Sequence, residues 1–71
     1  MRNLDIDNLN TTEYDAENGR YYLEFLVDDE SISIYVDASN YPAASHDEWF
    51  WESKDNVDKA ISEARKSGQI Q

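Results

Sequence analysis

Side chains able to do covalent or acid–base chemistry are scarce in this chain. It has no Cys and a single His, His46, which is followed by Asp47 and Glu48. A His beside carboxylates is the raw material of an acid–base pair or a metal site. A metal motif, however, needs a second His or a Cys at convergent spacing, and neither is present. His46 is therefore read as a loop residue without a catalytic or metal role. Asp5-Ile6-Asp7-Asn8 and Asp28-Asp29-Glu30 offer hard oxygen donors, yet neither run continues into the Gly and terminal Glu of a calcium loop. Weak, nonspecific cation binding is the most they support. With no Gly-rich phosphate cradle and little volume for a dry pocket, the chain is expected to be non-catalytic, with no cofactor and no bound metal.

What remains is charge. Sixteen Asp and Glu against six Lys and Arg in 71 residues give a net charge of −10. Repulsion at that charge opposes direct contact with phosphate backbones, so the expected partner is a basic protein surface and not nucleic acid. No stretch approaches the roughly 20 apolar residues that span a bilayer. The start of the chain, Met1-Arg2-Asn3-Leu4-Asp5, lacks the apolar core of a signal peptide. Without Cys there is no disulfide framework to staple so small a secreted domain. A soluble, cytoplasmic protein is the expectation, with residues 1–71 forming a single acidic domain.

A chain of this length buries only about 60 % of the surface its unfolded form exposes, so its core is small. The 14 Leu, Ile, Val and Phe residues lie near the compositional border of disorder, while nine aromatic residues, five of them Tyr, argue for folding.

The elements that would position the charges are readable. Asn18-Gly19 is a strong two-residue hairpin signal, because a type I′ turn needs positive φ at both central positions. It implies strands over about Asn10–Ala16 and Arg20–Val27, with Asp15 opposite Tyr22, Tyr14 opposite Leu23 and Glu13 opposite Glu24. Ser31-Ile32-Ser33-Ile34-Tyr35-Val36-Asp37 alternates cleanly and reads as a third strand. A tip at Asp29-Glu30 places Val27 opposite Ile32, Phe25 opposite Ile34 and Leu23 opposite Val36, so one apolar face forms. Glu30 suits positive φ poorly, which points to a longer loop there. Residues 38–46 are rich in breakers, and Trp49-Phe50-Trp51 reads as a short aromatic strand with both Trp on one face. Val57, Ala60, Ile61 and Ala64 recur at helical spacing, with Ser53 or Asp55 able to cap the start and Gly68 to end the element. A helix over Lys54–Ser67 follows. The segment from Leu4 to Leu9 fits either an edge strand or a turn of helix. The expected fold is α+β: a three- or four-stranded antiparallel sheet, a meander of hairpins, with one C-terminal helix packed on one face.

Residues 1–53 carry 13 acidic and 2 basic side chains, whereas residues 54–71 carry 3 and 4. The sheet half therefore holds essentially all of the excess charge. In the register above, the face away from the helix shows two rows, Asp15, Tyr22, Asp37 and Glu13, Glu24, Tyr35. Any solvent face is polar, but two features favour binding. Glu13 opposite Glu24 is a like-charge pair that weakens a sheet by roughly 0.2–1 kcal/mol. Tyr among carboxylates offers contact area at low entropy cost. Carboxylates two apart on a strand lie about 6.6 Å apart, about twice the roughly 3.4 Å rise per phosphate of one DNA strand. The candidate partner-binding residues are Glu13, Asp15, Tyr22, Glu24, Tyr35 and Asp37, joined by Trp49 and Trp51. Of the last two, Trp rings sealing the core are weighed against Trp as an exposed anchor.

Two functions are expected to compete. The first is an inhibitor of the nucleic-acid-mimic type, occupying a basic, nucleic-acid-binding surface of another protein, the physical profile of small anti-defence proteins of phages and of immunity or antitoxin proteins. The alternative is a non-catalytic regulatory or structural module whose aromatic strand makes a homodimer or subunit contact.

Overall fold

The computed structural model describes residues 4–70; the reading of Met1-Arg2-Asn3 at the start of the chain lies outside them. Three strands, β1 (Leu9–Asp15), β2 (Arg20–Val27) and β3 (Glu30–Asp37), form an antiparallel sheet in the order β1-β2-β3, followed by one helix, α1 (Lys54–Lys66). The expected α+β meander is thus the observed one. Short 3₁₀ turns occupy Ile6–Asn8, Ala38–Asn40, Ala43–His46 and Glu48–Glu52.

Both hairpins differ from expectation by the same step. β1 and β2 pair Asp15 with Arg20, Tyr14 with Tyr21, Glu13 with Tyr22 and Thr12 with Leu23, two residues away from the register that a two-residue Asn18-Gly19 turn imposes. The cause is Asp15, whose carboxylate accepts from the Asn18 backbone at 3.3 Å and from the Asn18 amide at 2.8 Å. That local bond folds Ala16–Gly19 into a four-residue loop in which Gly19 alone takes positive φ, at 62°. β2 and β3 pair Val27 with Glu30, Phe25 with Ile32 and Leu23 with Ile34. Their turn is Asp28-Asp29, with φ of 51° and 68°, and not Asp29-Glu30. Asp tolerates the left-handed region better than Glu. A slip of two leaves every side chain on its face, so the apolar face survives both changes.

That face is the core. Leu23, Phe25 and Ile34 are fully buried with Val57, Ala60 and Ala64 of α1. The small residues of the helix stripe let α1 lie close to the sheet. Ser53 occupies the N-cap position, though its side chain makes no capping bond. The helix ends where Gly68, at φ 80°, donates to the Arg65 carbonyl, and Gln69 donates to that of Ala64, a Schellman closure.

The aromatic segment is not a strand. Glu48–Glu52 is a 3₁₀ turn, so its side chains do not alternate between two faces. Trp51 and Phe50 turn into the core and Trp49 stays 59 % exposed. Trp51 donates from Nε1 to the Ser45 carbonyl at 3.0 Å, and the buried Ser45 hydroxyl also meets the Tyr21 hydroxyl. A buried indole N–H and a phenol need partners, and the loop before the segment supplies them. The N-terminal ambiguity resolves as a turn of 3₁₀ helix over Ile6–Asn8, closed by reciprocal Asp5 and Asn8 side-chain bonds to backbone N–H groups.

Candidate functional site

The face of the sheet turned away from α1 carries three cross-strand rows: Asp15–Arg20–Asp37, Glu13–Tyr22–Tyr35 and Thr11–Glu24–Ser33. These replace the two expected rows. Glu13 lies opposite Tyr22 and not Glu24, so the inferred like-charge pair does not exist. Arg20, a residue that sequence reasoning passed over, lies between two carboxylates. The signal was available, since the Asp15–Arg20 pair follows once Asp15 is allowed to set the loop.

The middle of this face is built on two rings. Tyr22 and Tyr35 pack at 5.2 Å between centroids, the Arg20 guanidinium sits 4.1 Å above the Tyr35 ring, and its Nε reaches Asp15 at 3.3 Å. The Tyr22 hydroxyl bonds the Ser33 hydroxyl at 2.8 Å. Glu13, Asp15, Arg20, Tyr22 and Tyr35 line a shallow open groove of about 370 Å³. Tyr35 remains 40 % exposed, so the pair offers aromatic area to a partner without first having to order itself.

Three of the carboxylates are fixed in place. The Asn18 amide holds the Asp15 carboxyl below its ordinary range, with the Asn18 backbone and Arg20 adding to the effect. The Asn10 amide does the same for Glu24, at 2.9 Å, helped by Ser31. The Ser39 backbone N–H and hydroxyl act on Asp37, at 2.9 and 2.8 Å. Hydrogen bonding to the charged form favours it, so all three stay ionised to lower pH than an unpartnered carboxylate. Glu13, in contrast, has no side-chain partner among the described residues.

Of the eight candidate residues, six share this face and two do not. Trp51 is in the core, 4 % exposed, while Trp49 projects from the turn Glu48–Glu52. His46 packs on the Tyr14 ring at 4.1 Å. Among the described residues no group of three or more His, Asp or Glu converges as metal ligands, and no helix is long and apolar enough to cross a membrane. The chain matches no protein-family model, and no curated protein or solved structure matches it. The functional reading rests on the geometry of the site.

Proposed function

We propose that this protein acts by binding and not by catalysis: it is an acidic inhibitor that occupies a basic, nucleic-acid-binding surface of another protein. The observation that carries this reading is the outer sheet face, where Tyr22 and Tyr35 stack at 5.2 Å among the carboxylates of Glu13, Asp15, Glu24 and Asp37. Negative charge held in position before contact attracts a basic surface during approach and needs no reordering on docking. Arg20 refines the picture. It ties Asp15 to the Tyr35 ring, so three of the four acids, Asp15, Glu24 and Asp37, are held in place around aromatic area.

The reading is tested by capture from the native host on immobilised protein. The expected catch is a basic, nucleic-acid-handling protein, retained at about 50 mM salt and released at about 500 mM, as screening of a charged interface requires. Added double-stranded DNA should displace it. Retention of an acidic protein, or retention indifferent to both salt and DNA, contradicts the proposal.

A regulatory or subunit contact keeps one observation in its favour, the 59 % exposure of Trp49. It no longer rests on an aromatic strand. A mass that rises with concentration, and falls back in Trp49→Ala, would establish it.

A further inference from the structure

The two edges of the sheet are treated differently. At the β3 edge, the Gln69 side chain accepts from the Tyr35 N–H at 2.7 Å and donates to the Tyr35 carbonyl at 2.7 Å. One amide thus occupies the outward backbone groups of Tyr35, which an incoming strand would use. The same contact fixes the hydrogen-bond phase of the sheet. Because the Tyr35 groups point outward, those of its partner Tyr22 point to β1, where they meet Glu13. The Ala38 N–H bonded to the Gly19 carbonyl at 2.9 Å agrees with this phase. It follows that the N–H and C=O of Thr12 and Tyr14 point away from the sheet on the β1 side. No group among the described residues bonds them.

The space beside them is shaped and charged. Two grooves of about 340 and 260 Å³ run between β1 and the segment 45–52, sharing Thr12, Glu48 and Trp51 in their walls. Asp47, Glu48 and Glu52 project there, no Lys or Arg lines either groove, and these three carboxylates have no side-chain partner among the described residues. Unpaired edges invite strand addition and are commonly blunted with Lys or a covering segment. Here the β3 edge is plugged at Tyr35, and the β1 edge is left open at Thr12 and Tyr14 under like charge. A second copy of a chain with net charge −10 would bring the same carboxylates against each other, which disfavours self-pairing.

We propose that the β1 edge is a strand-addition site for an extended Lys- or Arg-rich segment of a partner protein. The segment pairs its backbone with Thr12 and Tyr14, and alternate side chains enter the grooves toward Asp47, Glu48 and Glu52. This surface adjoins the outer sheet face, with Glu13 and Tyr14 at the border of both, but requires no contact with Tyr22 or Tyr35.

The test uses the whole protein and three nine-residue capped peptides: one alternating Lys and Thr, one alternating Glu and Thr, and the Lys-Thr peptide N-methylated at every second residue. Amide exchange is followed by NMR. Saturation with the Lys-Thr peptide should slow exchange at Thr12 and Tyr14 by about tenfold or more, each factor of ten being about 1.4 kcal/mol of protection, and leave Tyr35 unchanged. The other two peptides should have no such effect. Thr12→Pro, which removes an outward N–H and no ladder bond, should abolish the protection. Glu48→Lys with Glu52→Lys, both exposed side chains, should weaken binding by about tenfold while leaving the edge intact, and decides the matter if Thr12→Pro does not fold. Equal binding of the N-methylated peptide, protection or shifts confined to Tyr22 and Tyr35, or no binding at all overturns the proposal. So does protection of Thr12 and Tyr14 that grows with protein concentration in the absence of peptide.

Discussion

Asp15 links the first hairpin loop to the aromatic centre of the outer face. Its carboxylate sets the loop Ala16–Gly19 through Asn18, holds Arg20 at 3.3 Å, and through Arg20 reaches the Tyr35 ring. Its folded-state pKa is depressed, first by the Asn18 amide. A depressed carboxylate contributes stability above its unfolded pKa of about 3.9 and loses it as pH falls through the folded value. The stability gap between wild type and Asp15→Asn should therefore be largest near neutrality and close as the pH is lowered below about 4, measured by urea denaturation across that range. A gap constant down to about pH 2 would contradict the account, because no ionised Asp15 then contributes. Ser45 is the buried counterpart. Its hydroxyl meets that of Tyr21, and its carbonyl accepts from Trp51 at 3.0 Å. Tyr21→Phe, which leaves the ring in place, should cost about 1–2 kcal/mol in the same measurement.

At the scale of elements, the hairpins show how much the sequence determines. Alternation in Ser31–Asp37, the apolar set Tyr21, Leu23 and Phe25, and the helix stripe Val57, Ala60, Ile61 and Ala64 specify which faces meet, and the core contains these residues as expected. Alternation cannot distinguish a register from one slipped by two, since both bury the same set. That choice belongs to turn chemistry, and there local side-chain bonds outweigh dipeptide preference: Asp15 captures Asn18, and Asp28-Asp29 takes positive φ without any Gly. The rows of the outer face depend on this choice, which is why Glu13 and Glu24 are expected opposite each other and are not, although both lie on the expected face. Trp49–Trp51 fails differently. Three aromatic residues have high strand propensity, but the Trp51 indole N–H finds its partner in the preceding loop, which requires a turn. Two substitutions measure the turns. Gly19→Ala places a side chain at φ 62° with no atom within 4 Å, so its cost is conformational, about 1 kcal/mol. Asp29→Gly relieves φ 68° and should stabilise by about 0.5 kcal/mol after the extra chain entropy of Gly. Thermal melting reports both, and equal effects in the same direction would contradict the assigned loops.

For the whole molecule, charge and structure divide the same way. Residues 1–53 carry 13 acidic and 2 basic side chains, and the sheet with its open edge lies within them, over Leu9–Asp37, while α1 supplies the apolar stripe behind it. Such an imbalance opposes the compact state through self-repulsion. Raising salt from about 10 mM to about 500 mM should therefore raise the melting temperature by a few degrees, as the screening length shrinks from about 30 Å to a few ångströms. In the proposed role, the imbalance would give the outer face its reach, since complementary charge speeds encounter with a basic partner more than it slows departure. The most direct test compares the association rate constant of wild type and Glu13→Lys with Glu24→Lys for the basic protein retained at low salt, sparing Asp15 because it holds the first loop. At about 50 mM salt the double variant should associate at least about tenfold more slowly, with a smaller change in dissociation and a difference that fades toward about 500 mM. Equal association rates at low salt would contradict the assignment of the outer sheet face as the docking surface.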